Sequence, residues 1–214
     1  MNSPPMSSEI VAARLDREII LNARNPAPEW ELAEPIRFWT NWQGKNPAPD
    51  LETEVRLLWS PMTLYLRFAC RYRELFVFED SEPSGRRDYL WDRDVAEAFL
   101  QPIPSPECYY KEFEVAPNGM WIDLDITPSG LADLKSGLTR SVHLDDQHSR
   151  WDAELAVPLR AFTADALHPG TIWRANFYRI EGKIEPRRYL AWRPTNTPQP
   201  SFHVPEKFGN VRFA

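Results

Sequence analysis

Hydrophobic and polar positions alternate along most of this chain with a period of two. Val55, Leu57 and Trp59 alternate with Glu54 and Arg56 until Ser60-Pro61 interrupts, the pattern of a strand with one face turned to a core. Leu64, Leu66, Phe68 and Cys70 then alternate with Tyr65, Arg67 and Arg71, so Ser60-Pro61-Met62-Thr63 predicts a hairpin turn between two half-buried strands. Further strands are predicted at 94–101, 109–116, 120–126, 139–144, 151–157, 171–180 and 188–192, with 207–213 closing the sheet. Pro117-Asn118-Gly119 joins two of them, and Asn-Gly between alternating runs is a strong hairpin signal. Residues 72–93 lose the alternation and gain charge, Ser, Pro and Gly, which predicts a long loop; only 158–167 reads as a helix, and a short one. Roughly ten strands at about ten-residue spacing predict an all-β fold: an antiparallel β-sandwich, a jelly-roll or immunoglobulin-like pair of sheets with at most one or two short helices. A flexible N-terminal arm over 1–8 is expected to precede a single domain over 9–214.

Composition sharpens this picture. The 214 residues include 21 Pro against 8 Gly; because proline removes a backbone donor and clashes with the preceding turn, long helices are nearly excluded. Hydrophobic residues make up 43% and charged residues 26%, enough apolar mass for a core. A formal net charge of −6 argues against a nucleic-acid partner, and no stretch is apolar enough to expect a membrane partner. Met1 to Leu21 carries Arg14, Asp16, Arg17 and Glu18 without an apolar run, so no signal peptide is expected as written. The cytoplasm is the default location, with a secreted or periplasmic one if the start lies upstream. Cys70 and Cys108 are far apart without metal-ligand spacing and are expected to be free thiols.

The strand faces carry the candidate chemistry. Tyr110, Glu112 and Glu114 oppose Tyr109, Phe113 and Val115, while Arg174, Asn176 and Tyr178 oppose Trp173, Ala175 and Phe177. Two readings stay open: a solvated outer face, as antiparallel sheets normally have, or one wall of a polar ligand site. Glu97 shares a face with Val95 and Phe99, which implies a buried carboxylate with a partner. Trp59, Trp121, Trp151 and Trp173 sit within alternating runs and are expected in the core. His143 with Asp145, Asp146 and His148 reads as a polar turn rather than a metal cluster. Asp50, Glu52, Asp123 and Asp125 are candidate oxygens for a structural calcium, without an EF-hand spacing. Met62, Met120 and His203 have no pattern supporting haem ligation. No GxSxG, HExxH, GxxxxGK[ST] or GxGxxG is present, so catalysis is the minority expectation; a glycosidase would need a carboxylate pair such as Glu97 and Glu112.

Four segments, TEVRLLWSPMTLYLRFA (53–69), WDRDVAEAFL (91–100), YYKEFEVAPNGMWIDLD (109–125) and 173–213 with AWRPT and FHVPEKFG, together resemble the family 9 carbohydrate-binding modules and their DOMON-like relatives, in order over about residues 9–213. The resemblance implies a non-catalytic β-sandwich that grips a mono- or oligosaccharide, characteristically a chain end, between two tryptophan rings, with a glycoside hydrolase as a candidate partner. Such a sugar stacks its C–H face on an aromatic ring while its hydroxyls find polar partners. On that resemblance Trp91 and Glu97 fall where the module has its first sandwiching Trp and a hydroxyl-binding acid, and Trp192 falls where it has the second. Asn176 and Arg179, then Lys111, Tyr110 and Asn196, are the further hydroxyl contacts. Many modules carry an Asn-Asp pair before the second Trp, where this chain reads Asn176-Phe177-Tyr178-Arg179; the sugar, and a retargeted interaction role, stay open on that ground.

Overall fold

The first hairpin is built by one serine. Ser60 Oγ accepts the N–H groups of Met62 (3.2 Å) and Thr63 (3.0 Å), and its own N–H donates to the Thr63 carbonyl at 2.9 Å, so the hydroxyl stands in for a missing turn of backbone. At the second hairpin Asn118 Oδ1 accepts the Met120 N–H at 3.2 Å, and Gly119 adopts φ +84°, a conformation that glycine takes without steric cost.

The computed structural model describes residues 7–80, 82, 84–102 and 109–214. Among them run β1 (Glu9–Arg14), β2 (Ile36–Phe38), β3 (Thr53–Trp59), β4 (Thr63–Arg71), β5 (Val95–Gln101), β6 (Tyr110–Val115), β7 (Trp121–Thr127), β8 (Gly130–Asp133), β9 (Thr139–Asp145), β10 (Arg150–Pro158), β11 (Ile172–Glu181), β12 (Arg188–Ala191) and β13 (Gly209–Phe213). The first six residues of the expected arm, and Cys108, lie outside the described residues. The helix expected over 158–167 is a single 3-10 turn, Leu159–Ala161: with Leu159 and Phe162 both buried, one turn is enough to seat the two core side chains on the same side.

The strands form one curled sheet in the order β8-β7-β6-β5-β11-β13-β1-β3-β4-β10-β9, with β12 on β11 and β2 on β3. Its two halves fold over each other as a β-sandwich. The pairing is antiparallel except at the seam, where β1 runs parallel to both β13 and β3. Ala96, Ala98, Phe113 and Phe177 from one half join Val55, Leu57, Leu66 and Phe68 from the other in one core; Phe68 and Phe177 meet edge-on, 6.3 Å between centroids. Trp59, Trp151 and Trp173 are in this core as expected, whereas Trp121 sits half-buried at its border.

The second face of the β7-β6-β5-β11-β12 half is not solvated. Leu90, Val95, Phe99, Tyr110, Ile122, Leu124, Tyr178 and Ile180 form a second apolar cluster under the chain segment that carries Phe202 and Phe208. The sheet thus carries an apolar cluster on both faces, and the second one forms an outer layer.

Candidate functional site

Two irregular segments roof the outer face, and buried polar side chains anchor both. Asp94, fully buried, accepts the N–H groups of Phe76 (3.1 Å) and Gly182 (2.9 Å), tying the start of the 72–93 loop to the end of β11. The loop is reinforced by guanidinium groups on rings, Arg87 over Phe78 and Arg93 over Phe76, 4.0 and 4.1 Å from the centroids. Leu90 is buried beneath its last turn, and Arg187 donates to the Trp91 carbonyl at 3.1 Å. The second segment is held by Tyr178, whose ring stacks on Phe202 at 4.1 Å and whose hydroxyl donates to the Phe202 carbonyl at 2.9 Å.

Between the two roofs lies a cleft of about 220 Å³, with Trp91, Tyr189, Phe202 and His203 among its walls and Glu97, Glu112 and Glu114 among its deeper lining. Register explains the floor: Glu97 on β5 stands opposite Glu114 on β6, with Glu112 two residues before it on the same face. Carboxyl oxygens of all three lie within 4.8 Å of one another, on side chains only 2%, 3% and 0% exposed. Burial is the first cause that pushes each carboxyl above its usual range. The charge of Glu112 adds to it for Glu97, and those of Glu97 and Glu112 for Glu114; a hydrogen bond to Glu114 and the nearby His203 oppose it for Glu112. His203 Nδ1 and the Tyr110 hydroxyl share a 2.6 Å hydrogen bond, and Tyr110 stacks on Phe99 at 5.3 Å.

The structure brings together two of the eight residues expected to bind: Trp91 and Glu97 line the cleft. Tyr110 stands behind it, propping His203. The rest lie elsewhere. Trp192 is wholly buried in the inter-sheet core, its ring against Phe177 at 5.6 Å, so neither of its faces is open to a ligand. Arg179 follows the inward alternation of β11 and lies 5.0 Å over the Trp151 ring. Asn176 spends its amide on the Tyr178 hydroxyl (2.7 Å) and the Arg193 carbonyl (2.8 Å), and its oxygen accepts the Arg193 N–H at 2.9 Å. Lys111 is tied to Asp125 at 2.6 Å, opposite Leu100 on the core side. Asn196 is an exposed loop residue at φ 58°. As platform or hydroxyl contacts in this cleft, Trp192, Arg179, Asn176, Lys111 and Asn196 are corrected.

Glu112, Glu114, Tyr189, Phe202 and His203 line the cleft without having been singled out as binders. The alternation of Tyr110, Glu112 and Glu114 was the available signal, since it offered a polar wall. Nothing in the sequence placed the 200–203 segment over that wall.

Three comparisons bear on this arrangement. The family model described as "Carbohydrate-binding family 9" matches residues 134–213, which include Tyr189, Phe202 and His203. An "Extracellular protein" of Arthroderma benhamiae is 29% identical over 199 residues, covering 83% of this chain and 85% of its own length. Among solved structures, a candidate carbohydrate-binding protein from Bacteroides uniformis superposes with a TM-score of 0.71 at 18% identity, covering 96% of this chain and 99% of that one. A family 9 module from Caldicellulosiruptor kristjanssonii in complex with glucose gives 0.65 at 14% identity, over 96% and 95% of the two chains. The same organism's module in complex with cellotriose gives 0.66 at 14%, over 96% and 93%. No helix among the described residues is long and apolar enough to cross a membrane. The fold is thus shared along nearly the whole length of these solved structures, and over its C-terminal strands, residues 134–213, the chain is similar to carbohydrate-binding family 9.

Proposed function

We propose that the cleft between the 72–93 loop and the 200–203 segment binds a carbohydrate, one pyranose ring at a time, in a domain spanning residues 9–214. The observation that carries this reading is the division of the cleft lining: aromatic side chains on the walls, Trp91, Tyr189 and Phe202, and carboxyl groups below, Glu97, Glu112 and Glu114. A pyranose is amphipathic in the same sense, with C–H faces that pack on rings and hydroxyls that hydrogen-bond to carboxyl oxygens. The volume of about 220 Å³ lies below the range of roughly 300–1,000 Å³ usual for drug-sized ligands and suits a single terminal unit. The glucose and cellotriose complexes of structurally similar modules support the reading. Tyr189, Phe202 and His203 line the same cleft as Trp91 and offer rings where the family resemblance implied a second tryptophan.

Trp91 decides the matter. Its ring is half-buried and packs edge-on to Tyr89 at 5.4 Å, so Trp91→Ala is expected to remove most sugar affinity while unfolding stays cooperative; Trp91→Phe, which keeps a smaller ring, is expected to restore part of it. Calorimetric titration with mono- and oligosaccharides reads both, and unchanged affinity in Trp91→Ala would overturn the assignment. The grouped carboxyls also support a rival reading, a glycoside-processing enzyme using Glu97 and Glu112. That reading requires product release which Glu97→Gln abolishes, whereas the binding reading expects no product from the wild-type chain.

A further inference from the structure

The side-chain chemistry of the cleft is lopsided, with its acceptors collected at the floor. Among the described residues Glu97 Oε1 is buried with no hydrogen-bond partner, and Glu112 and Glu114, which hydrogen-bond to each other when one is protonated, have buried oxygens with no other partner. Among the described residues no lysine or arginine lines the cavity, and the side-chain donors of its lining are the Trp91 indole, the Tyr189 and Ser201 hydroxyls and the His203 ring. Arg187 offsets part of the charge on Glu97, but it is not in the cleft lining: its Nη1 and Nε donate to the Trp91 carbonyl (3.1 Å) and the Gly182 carbonyl (2.9 Å), and its buried Nη2, without a hydrogen-bond partner, lies 3.8 Å from Asp94. A buried carboxyl group without a partner is costly. A neutral sugar satisfies the ionised carboxylates poorly, because each ligand hydroxyl brings one donor and also acceptor lone pairs that a carboxylate cannot serve.

We propose that the ligand brings the missing positive charge: the cleft selects a protonated amino sugar, a 2-amino-2-deoxypyranose, with its ammonium group among Glu97, Glu112 and Glu114 and its ring against Trp91. This rests on the carbohydrate reading of the same cleft and narrows it to one class. An ammonium group carries three donors and no acceptor, which matches three converging carboxyl groups whose oxygens lie within 4.8 Å of one another. The aromatic walls favour the same ligand, since a cation beside ring faces gains further attraction. A divalent cation would also fit the spacing of the oxygens, but it would leave the aromatic walls unused and most of the 220 Å³ empty. The raised carboxyls add a signature. In the empty cleft burial favours their protonated forms, and an arriving ammonium group favours the ionised ones, so binding at neutral pH releases protons to the buffer.

The test is calorimetric titration of the intact chain at pH 7, in chelator, with glucose, glucosamine and N-acetylglucosamine, repeated in buffers of different ionisation enthalpy. Glucosamine is expected to bind about tenfold or more tightly than glucose, as a charge-assisted hydrogen bond exceeds a neutral one, with heats that depend on the buffer. N-acetylglucosamine, the same ring without the charge, is expected to bind no better than glucose. Glu114→Gln is expected to weaken glucosamine binding far more than glucose binding, bringing the glucosamine-to-glucose ratio close to one. Glucose binding as tightly as glucosamine would overturn the inference and leave the carbohydrate reading standing. Silence with all three sugars would overturn both. Sugar binding that appears only when calcium or magnesium replaces the chelator would overturn the amine in favour of a metal.

Discussion

An indole in a β-sandwich acts as a platform when one ring face stays open, and as filler when both faces touch protein. Trp192 is filler: its ring packs on Phe177, and a methyl group placed on Gly209 would stand 2.6 Å from it and 2.7 Å from the Ser8 carbonyl. Trp192→Ala is therefore expected to cost about 3–5 kcal/mol, and Gly209→Ala about 1–3 kcal/mol from overpacking. Urea unfolding would read both, and a Trp192→Ala protein as stable as wild type would contradict this placement. Cys70 is equally committed to the interior. Burial pushes its thiol up to about 11, so it is expected to resist a disulfide reagent in the native protein and react only on unfolding. At this scale the sequence singled out Trp91 and Glu97, which line one cleft, and set Trp192 at a site edge although it is buried, because a tryptophan at the end of a strand has the same pattern whether the next layer covers it or not.

At the scale of elements, the paired strands β5 and β6 set the cleft's response to pH. Glu97, Glu112 and Glu114 are held above their ordinary value of 4.5 by burial, so between that value and their raised ones the native state binds more protons than the unfolded state. Stability from these groups is complete below 4.5 and declines as pH rises through the raised range. The lowered carboxyls Glu18 and Glu54 act in the opposite sense and only toward acid. The melting temperature is thus expected to fall from pH 5 toward pH 8, and Glu97→Gln or Glu114→Gln should flatten that slope; an unchanged slope in both variants would refute it. Strands with large alternating side chains, such as β3, β4, β10 and β11, were legible in sequence. β2, with three residues, and β8, exposed along its whole length, show too little alternation to be read. β1 was missed for another reason: small Ala12 and Ala13 in EIVAAR give a weak period.

For the whole molecule, the all-β class and the sandwich followed from strand spacing and proline content, but the strand order did not. Local alternation records which face a residue occupies and says nothing about which distant strand lies beside it. The same limit hid the cleft, whose walls come from residues more than a hundred positions apart, Trp91 and Phe202. It also concealed that the outer face has its own roof, since Glu112 and Glu114 alternate just as solvated residues would.

The seam strand β1 has a consequence for how copies of this chain can meet. Among the described residues it is the sole ladder between β13 and β3, joined to each by parallel pairing, and it contributes two fully buried apolar side chains, Ile10 and Ala12. A chain lacking residues 7–15 is expected to present a vacant slot with two unsatisfied borders, open to donor-strand complementation. A synthetic peptide of that sequence should then restore the melting temperature of the truncated protein, and at high concentration intact chains should exchange this strand into domain-swapped dimers. Separation by size before and after partial unfolding would show whether such dimers form, and dimers that persist without β1 would trace the association to another surface.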